Sequence, residues 1–238
     1  MRFAPLYPLF YRILQPSFPK CLWSGTNTEP AIALTFDDGP HGEYTPELLK
    51  VLDRYGIVAS FFLLGVCVER SPSVAKALYE RGHWIGLHGY EHRSFPRLSP
   101  TQLRESLEKN QGAIAQACEL DLEQVKTQIR DVRPPNGLFT PGILRHLEQW
   151  NYRPVMWSVV VEDWWRPGVS VVVDRVLRQV QNGSHIVLHD GWHGGEDIAA
   201  IAEELIPELL RAGYHFVTID RLWQTCSPLY PGSTLRNR

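Results

Sequence analysis

The chain has 238 residues, a length that favours one large domain and suffices to bury a full hydrophobic core. Apolar residues make up 44% of it and charged residues 21%, which are ordinary globular values and exclude a disordered or fibrous protein. The 24 basic and 26 acidic residues are mixed along the chain and leave a net charge of −2, so nothing indicates a nucleic-acid partner.

Residues 1–30 are predicted to form an arm that packs on the domain. The longest uncharged stretch, Phe3 to Tyr11, is too short to span a bilayer and contains two prolines. No small-residue cleavage site follows it, so a secretory signal is poorly supported. We therefore expect an extended arm, no transmembrane segment, and a location that is cytoplasmic or peripheral to a membrane. The prolines speak against an amphipathic helix here.

Residues 31–223 are predicted to form the domain, and residues 224–238 a tail. Within the domain, short apolar runs of β-branched or aromatic character alternate with helices, which predicts about seven β/α units with parallel strands. They could close into a barrel or remain an open, doubly wound sheet. The predicted strands are Ala31–Phe36, Val58–Leu63, His83–Leu87, Ile129–Arg133, Pro154–Val160, Ser184–Leu188 and Tyr214–Ile219.

Helix boundaries are indicated by hydroxyl residues followed by proline, and by glycines where helices should end. The apolar spacing predicts helices over 100–118, 172–181 and 198–210. The starts are Thr45-Pro46, Ser71-Pro72, Ser99-Pro100 and Thr140-Pro141, and the stops are Gly56, Gly82 and Gly213.

Titratable residues follow five of the predicted strands. Because the carboxyl ends of parallel strands meet at one edge, these groups are expected to converge on one site. Solvated loops would be richer in Lys, Ser and Asn. The groups are Asp37 and Asp38, His88 and His92, Arg133, Glu162 and Asp163, and His189 and Asp190.

Two of these groups point to metal chemistry. Asp37 and Asp38 are adjacent carboxylates, so one can bind a cation while the other takes a proton. His88 and His92 are four residues apart and can face one ion. Two histidines and one carboxylate leave positions open for water and substrate, as in catalytic zinc or iron sites.

The motifs T-F-D-D-G-P, H-x-x-x-H about fifty residues on, R-P-P, D-W and L-H-D resemble, in order and spacing, those of the polysaccharide deacetylase family. This family is also known as the NodB homology domain or carbohydrate esterase family 4. The resemblance extends from about Ala31 to Leu222. It implies a distorted (β/α) barrel and a metal-dependent hydrolase that removes N-acyl groups, typically acetyl, from an amino sugar or polysaccharide.

The resemblance also implies roles for the motif residues. Asp38, His88 and His92 correspond to the metal ligands, usually of zinc, with cobalt or another divalent ion as alternatives. Asp37 corresponds to the general base, and Arg133 to the arginine that orients it.

Further roles concern the leaving group and the substrate groove. His189 corresponds to the general acid that protonates the leaving amine. The backbone N–H of Asn136 corresponds to the oxyanion donor. Trp164 matches the D-W motif of the groove, and Val187 stands where the family has a leucine in the pocket for the acetyl methyl group.

The most serious departure from the family is Val160. It occupies the first position of the pattern D-x-x-D-W, whose aspartate normally pairs with the acid histidine. Asp190, Glu162 and Asp163 are candidates to replace that carboxylate, and the sequence alone does not choose among them. The three metal ligands and the other three residues of the reaction, Asp37, Arg133 and His189, are all present. We therefore interpret the departures from the family pattern as a change of substrate and not as a loss of activity.

Alternatives remain open within this interpretation. One is a related C–N hydrolase, such as a sugar deformylase or a cyclic-imide hydrolase. Another is a non-catalytic carbohydrate-binding protein on the same fold. The expected partner is an N-acylated amino sugar or its polymer, and the sequence predicts no oligomeric state. The four widely spaced cysteines predict free thiols.

Overall fold

A parallel sheet forms the centre of the molecule in a computed structural model that describes residues 6–26 and 28–226. Its strands are β1 (Ala31–Asp37), β2 (Ser60–Leu63), β3 (Trp84–Leu87), β4 (Asp131–Val132), β5 (Arg153–Pro154), β6 (Val159–Val160), β7 (His185–His189) and β8 (His215–Phe216). The strand order is β5-β4-β3-β2-β1-β7-β6, and β8 pairs with the first residues of β1. Every pairing is parallel, as the alternation of strands and helices predicted.

The two edges of this sheet lie close to each other. β5 and β6 are at opposite ends of the strand order, yet only residues 155–158 separate them in the chain. Since each residue extends a chain by at most about 3.6 Å, the sheet must curl until its edges nearly meet. The fold is therefore the distorted (β/α) barrel that the motifs implied, and not an open sheet.

The prediction of one strand over Pro154–Val160 was wrong. The run is continuously apolar, but it leaves one edge of the sheet and joins the other. Between the two edges, Val155 pairs in parallel with Leu22. The N–H of Leu22 donates to the carbonyl of Pro154 at 2.9 Å, and the N–H of Met156 donates to the carbonyl of Leu22 at 2.8 Å. A segment before the predicted domain thus fills part of the gap.

Helices cover the outside of the barrel. They are α1 (Tyr7–Ser17), α2 (Tyr44–Tyr55), α3 (Gly65–Arg70), α4 (Pro72–Glu80), α5 (Pro100–Cys118), α6 (Leu122–Gln128), α7 (Pro141–Gln149), α8 (Val169–Gln179), α9 (Ile198–Arg211) and α10 (Ile219–Thr225). The predicted helices over 100–118, 172–181 and 198–210 correspond to α5, α8 and α9.

The side-chain caps follow the prediction only in part. Ser99 forms a reciprocal capping box with Gln102, and the Thr140 hydroxyl accepts from the N–H of Ile143. Thr45, however, lies inside α2, which begins one residue earlier. Its hydroxyl donates instead to Oδ2 of Asp190, at 2.5 Å.

The N-terminal arm contains a helix that the prolines had argued against. Pro8 lies in the first turn of α1, where its missing N–H has no helical acceptor, and Pro16 lies in the last turn. The hydroxyls of Tyr11 and Ser24 are 2.9 Å apart, which ties α1 to the segment that follows. Residues 1–5 of the predicted arm lie outside the described residues. So do residues 227–238 of the predicted tail.

Two further predictions concern the chain as a whole. All four cysteines carry free thiols. Within residues 6–26 and 28–226, no helix combines the length and the apolar character that crossing a membrane requires.

Candidate active site

The carboxyl ends of the strands surround a cavity of about 390 Å³. The nine residues to which the family resemblance gives a role in the site all line it, whereas Glu162, Asp163 and Asp190 do not. The nine residues are Asp37, Asp38, His88, His92, Arg133, Asn136, Trp164, Val187 and His189. Six further residues share the lining, namely Tyr7, Pro134, Gly137, Trp157, Val160 and His193.

Asp38, His88 and His92 form a compact cluster whose potential ligand atoms all lie within 4.8 Å of one another. Oδ1 of Asp38 is 3.4 Å from Nε2 of His88 and 3.3 Å from Nε2 of His92. Asp38 and His92 both have left-handed backbones, with φ of 71° and 55°. Residues other than glycine rarely adopt this conformation, and such strain is typical of functional sites.

The hydrogen bonds of His88 define its tautomer. Its Nδ1 lies 2.7 Å from the carbonyl oxygen of Arg133, and a carbonyl can only accept. Nδ1 therefore carries the proton, and Nε2 presents a lone pair toward Asp38. Burial lowers the pKa of His88 more than the nearby carboxylates raise it, which also favours the neutral ring.

The cluster fits a divalent metal ion. Two ligand atoms that each lie about 2.1 Å from a tetrahedral zinc ion are about 3.4 Å apart, close to both distances measured from Asp38. Oδ1 of Asp38 is buried and accepts no hydrogen bond from the described residues. Burial pushes the pKa of Asp38 upward, but the charges of the surrounding histidines outweigh it, so the net shift lowers the pKa and favours the carboxylate.

Asp37 and Arg133 form a buried ion pair beside this cluster. Nη1 of Arg133 donates to Oδ1 of Asp37 at 2.6 Å and to the hydroxyl of Thr35 at 2.8 Å. The guanidinium also donates from Nε to the carbonyl of Met156, and it lies 4.0 Å from the centre of the Phe62 ring. The carboxylate of Asp37 is thus held in one orientation by a cation that cannot give up its proton.

His189 is paired with Asp163. This carboxylate replaces the family aspartate that is missing at Val160. Nδ1 of His189 is 2.9 Å from Oδ1 of Asp163, and the N–H of His189 donates to Oδ2 at 2.7 Å. Of the other two candidates, Asp190 accepts from Thr45, and Glu162 forms an ion pair with Arg175 at 3.9 Å.

The pairing keeps His189 protonated. Burial alone would lower the pKa of His189, but the charge of Asp163, its hydrogen bond and the charges of Asp38 and Asp37 together raise the pKa to about 10. A histidine with a raised pKa retains its proton through neutral pH. It can therefore act as an acid there.

Asp163→Asn is expected to lower kcat about 100-fold at pH 8, because His189 loses the charge that keeps it protonated. The pKa of the acid then falls toward the ordinary histidine value of about 6.5, so the alkaline limb of the kcat–pH profile moves to lower pH. Turnover of an N-acetylated oligosaccharide between pH 5 and 10 measures both effects. The matched control is Asp190→Asn, which removes a neighbouring carboxylate that does not bond to His189. An alkaline limb that stays in place in Asp163→Asn would contradict the pairing.

The remaining predicted residues form the walls of the cavity. Asn136 lies in a short turn over Pro135–Gly137 and has a left-handed φ of 59°, which asparagine tolerates well. Its side chain donates to the hydroxyl of Ser94 at 2.9 Å. Val160 and Val187 are partners across β6 and β7, so both valines contribute to the same apolar part of the lining.

Sequence reasoning did not place Tyr7 at the site. The inward side of α1 carries Tyr7, Tyr11 and Leu14, and Phe18 follows directly after the helix; the 4-3-4 spacing is typical of one helix face. That periodicity was a usable signal. The prolines conceal it, although Pro8 and Pro16 occupy the first and the last turn, where a helix tolerates them.

Comparison with known proteins identifies the relatives of this chain. A sequence model described as polysaccharide deacetylase matches residues 24–155. The peptidoglycan-N-acetylglucosamine deacetylase of Bacillus cereus is 33% identical over 202 residues, which cover 84% of this chain and 91% of the relative. A chitooligosaccharide deacetylase of Bradyrhizobium is 31% identical over 211 residues, covering 84% of this chain and 92% of the relative.

A solved structure shows the same architecture. The crystal structure of the Bc1960 peptidoglycan N-acetylglucosamine deacetylase superposes with a TM-score of 0.80 at 28% identity. The superposition covers 86% of this chain and 93% of that one.

Proposed function

This chain belongs to the polysaccharide deacetylase family, and on that premise we propose that its site removes the acetyl group from N-acetylated glucosamine units, with zinc held by Asp38, His88 and His92. Like the deacetylases it resembles, the protein is a metal-dependent hydrolase of carbon–nitrogen bonds that acts on amino sugars or their polymers. The choice of acetyl, of glucosamine and of zinc is the proposal.

One observation carries this proposal. The three-ligand cluster, the Asp37–Arg133 pair and His189 line the same cavity, and Asp163 pairs with His189 from behind the lining. Amide hydrolysis needs an activated water, a stabilised oxyanion and a protonated leaving group. This constellation offers residues for each of these tasks.

The metal ligands would hold a divalent ion and leave open positions. When bound, such an ion lowers the pKa of water to about 7 and polarises a carbonyl group. One carboxylate and two imidazoles form a donor set that suits zinc, and cobalt is an alternative with the same ligands.

The chain's own residues supply the proton transfers. Asp37, oriented by Arg133, accepts a proton from the attacking water. The carbonyl carbon gains the new C–O bond, and the backbone N–H of Asn136 donates to the oxygen that becomes negative. His189, charged and oriented by Asp163, then gives its proton to the amide nitrogen as the C–N bond breaks. The products are acetate and a free amino sugar.

The shape of the cavity agrees with a sugar substrate. A volume of about 390 Å³ lies within the range of sites for small ligands. A cavity of this size holds only part of a polymeric substrate, and the rest of the polymer lies outside it. Val160 and Val187 form apolar lining suited to the methyl end of an acyl group, as the relatives named for N-acetylglucosamine and chitooligosaccharide deacetylation suggest.

Metal removal and restoration test the proposal. EDTA-stripped protein is expected to release no acetate from acetylated chitooligosaccharides or peptidoglycan fragments. One equivalent of zinc or cobalt should restore the release, whereas calcium, which prefers six to eight oxygen ligands, should not. Failure to release acetate while one equivalent of zinc or cobalt is bound would overturn the proposal. Release of formate, or hydrolysis of a cyclic imide, would identify the related C–N hydrolases instead.

A further inference from the structure

Helix α1 brings an aromatic side chain into the active-site cavity from outside the region matched by the family. Tyr7 is half-buried and lines the cavity together with Trp157. The centres of the two rings are 5.6 Å apart, and their planes meet at 83°, an edge-to-face arrangement. The family match begins at residue 24, after α1 has ended.

The position of Tyr7 is fixed by the packing of α1. Tyr11 contacts the ring of Trp23 and shares a hydrogen bond with Ser24. At the other end of the helix, Phe18 packs edge-on against Phe139, with ring centres 5.0 Å apart. These contacts join α1 to the segment that pairs with Val155 in the gap of the barrel, so the helix is part of the fold.

The position of Trp157 is also fixed by packing. Its ring centre lies 5.4 Å from that of Trp23, on the side of the arm. On the other side it contacts Gly137, where an added Cβ would lie 2.9 Å from the indole nitrogen. The Tyr7–Trp157 pair therefore stands beside the turn that contains Asn136, where the acyl group is proposed to bind.

We propose that Tyr7 and Trp157 form a subsite for the pyranose ring of the N-acylated amino sugar. The proposal rests on the function proposed above and adds two binding residues to it. Aromatic rings offer a large apolar surface for the C–H face of a sugar, and the phenol adds a polar tip that can hydrogen-bond a sugar hydroxyl. The N-terminal helix is then part of the substrate site.

The surroundings of Tyr7 favour a phenol that donates a hydrogen bond. Burial raises the pKa of Tyr7, and the negative charge of Glu162 raises this pKa further. The hydroxyl keeps its proton over the working range of a hydrolase. This agrees with a role in binding sugar hydroxyls and argues against a role in proton transfer.

Three variants of Tyr7 test the subsite. Tyr7→Leu keeps an apolar contact with Trp157 but removes the ring, and Tyr7→Ala removes both. We expect KM for tri-N-acetylchitotriose to rise about tenfold in each, with kcat within twofold of the unmodified protein, because the catalytic groups are untouched. Tyr7→Phe should stay within threefold in KM. The matched control is Ile13→Ala, which changes a 57% exposed side chain on the same helix and should leave KM unchanged.

The outcomes separate this inference from the proposed function. If the unmodified protein releases acetate and KM does not change in Tyr7→Leu or Tyr7→Ala, the subsite is wrong and the function stands. If the metal-loaded protein releases no acetate, the function fails, and the tryptophan fluorescence of a chitotriose titration decides on the subsite. A Kd about tenfold weaker in Tyr7→Leu than in Tyr7→Phe supports it, and equal Kd values overturn it. No binding by the unmodified protein would overturn both.

Discussion

Asp37→Asn is expected to lower kcat about 10³-fold and to leave one equivalent of metal bound, because asparagine cannot take the proton from the attacking water. The amide keeps an oxygen at the position of Oδ1, where Arg133 donates at 2.6 Å. The metal cluster is formed by other side chains and remains complete. Steady-state acetate release, together with metal analysis of the dialysed protein, measures both quantities.

The control for this variant must disturb Arg133 without removing the base. Thr35→Val does so, since the Thr35 hydroxyl is the second acceptor of Nη1 of Arg133 and also donates to the carbonyl of Ile186. Loss of the hydroxyl weakens the hold on the guanidinium but leaves the Asp37 carboxylate, so most of kcat should remain. If Asp37→Asn retained a tenth of the kcat, or if Thr35→Val lost as much as Asp37→Asn, Asp37 would not be the base.

The components of the site could be predicted because its motifs are local in sequence. Asp37 and Asp38 follow a buried strand directly, and His88 and His92 follow another. Parallel strands then bring such ends together whatever the remaining topology. The pattern of strands and helices did not determine the closure of the barrel, which only the family resemblance implied. The apolar run Pro154–Val160 satisfies a strand pattern, yet it spans the gap between two edges, and local composition does not encode which edges meet.

The sequence also did not determine which carboxylate pairs with His189. Three carboxylates lay near it in sequence, but composition does not say which one the backbone turns toward it. The turn over Asp163–Trp165 places Asp163 against β7, whereas Asp190 turns toward α2. His189 therefore has a carboxylate partner, Asp163, although residue 160 is a valine. The family pattern alone had suggested that this partner was missing.

His92→Gly is expected to reduce metal affinity about 10³-fold or more, because only two protein ligands then remain. Glycine suits this position, since the backbone of His92 has a φ of 55° that costs glycine nothing. Activity should fall with the metal. Metal content after dialysis and acetate release at a fixed zinc concentration measure the two losses. His193→Ala is the matched control, as His193 lines the same cavity but lies outside the ligand cluster, and it should keep its metal.

The exposure of the two histidines predicts a difference in rescue by added imidazole. The His92 side chain is 35% exposed and the His88 side chain only 3%, so imidazole from solution can reach the first position far more readily. In addition, a hydrogen bond to the carbonyl of Arg133 orients the ring of His88. An imidazole molecule that replaced this ring would have to form the same hydrogen bond. We expect millimolar imidazole to restore part of the metal binding and turnover of His92→Gly and none of either in His88→Gly. If His92→Gly bound a full equivalent of metal without imidazole, His92 would not be a ligand. The proposal that Asp37 accepts a proton from a water on that metal would then lose its basis.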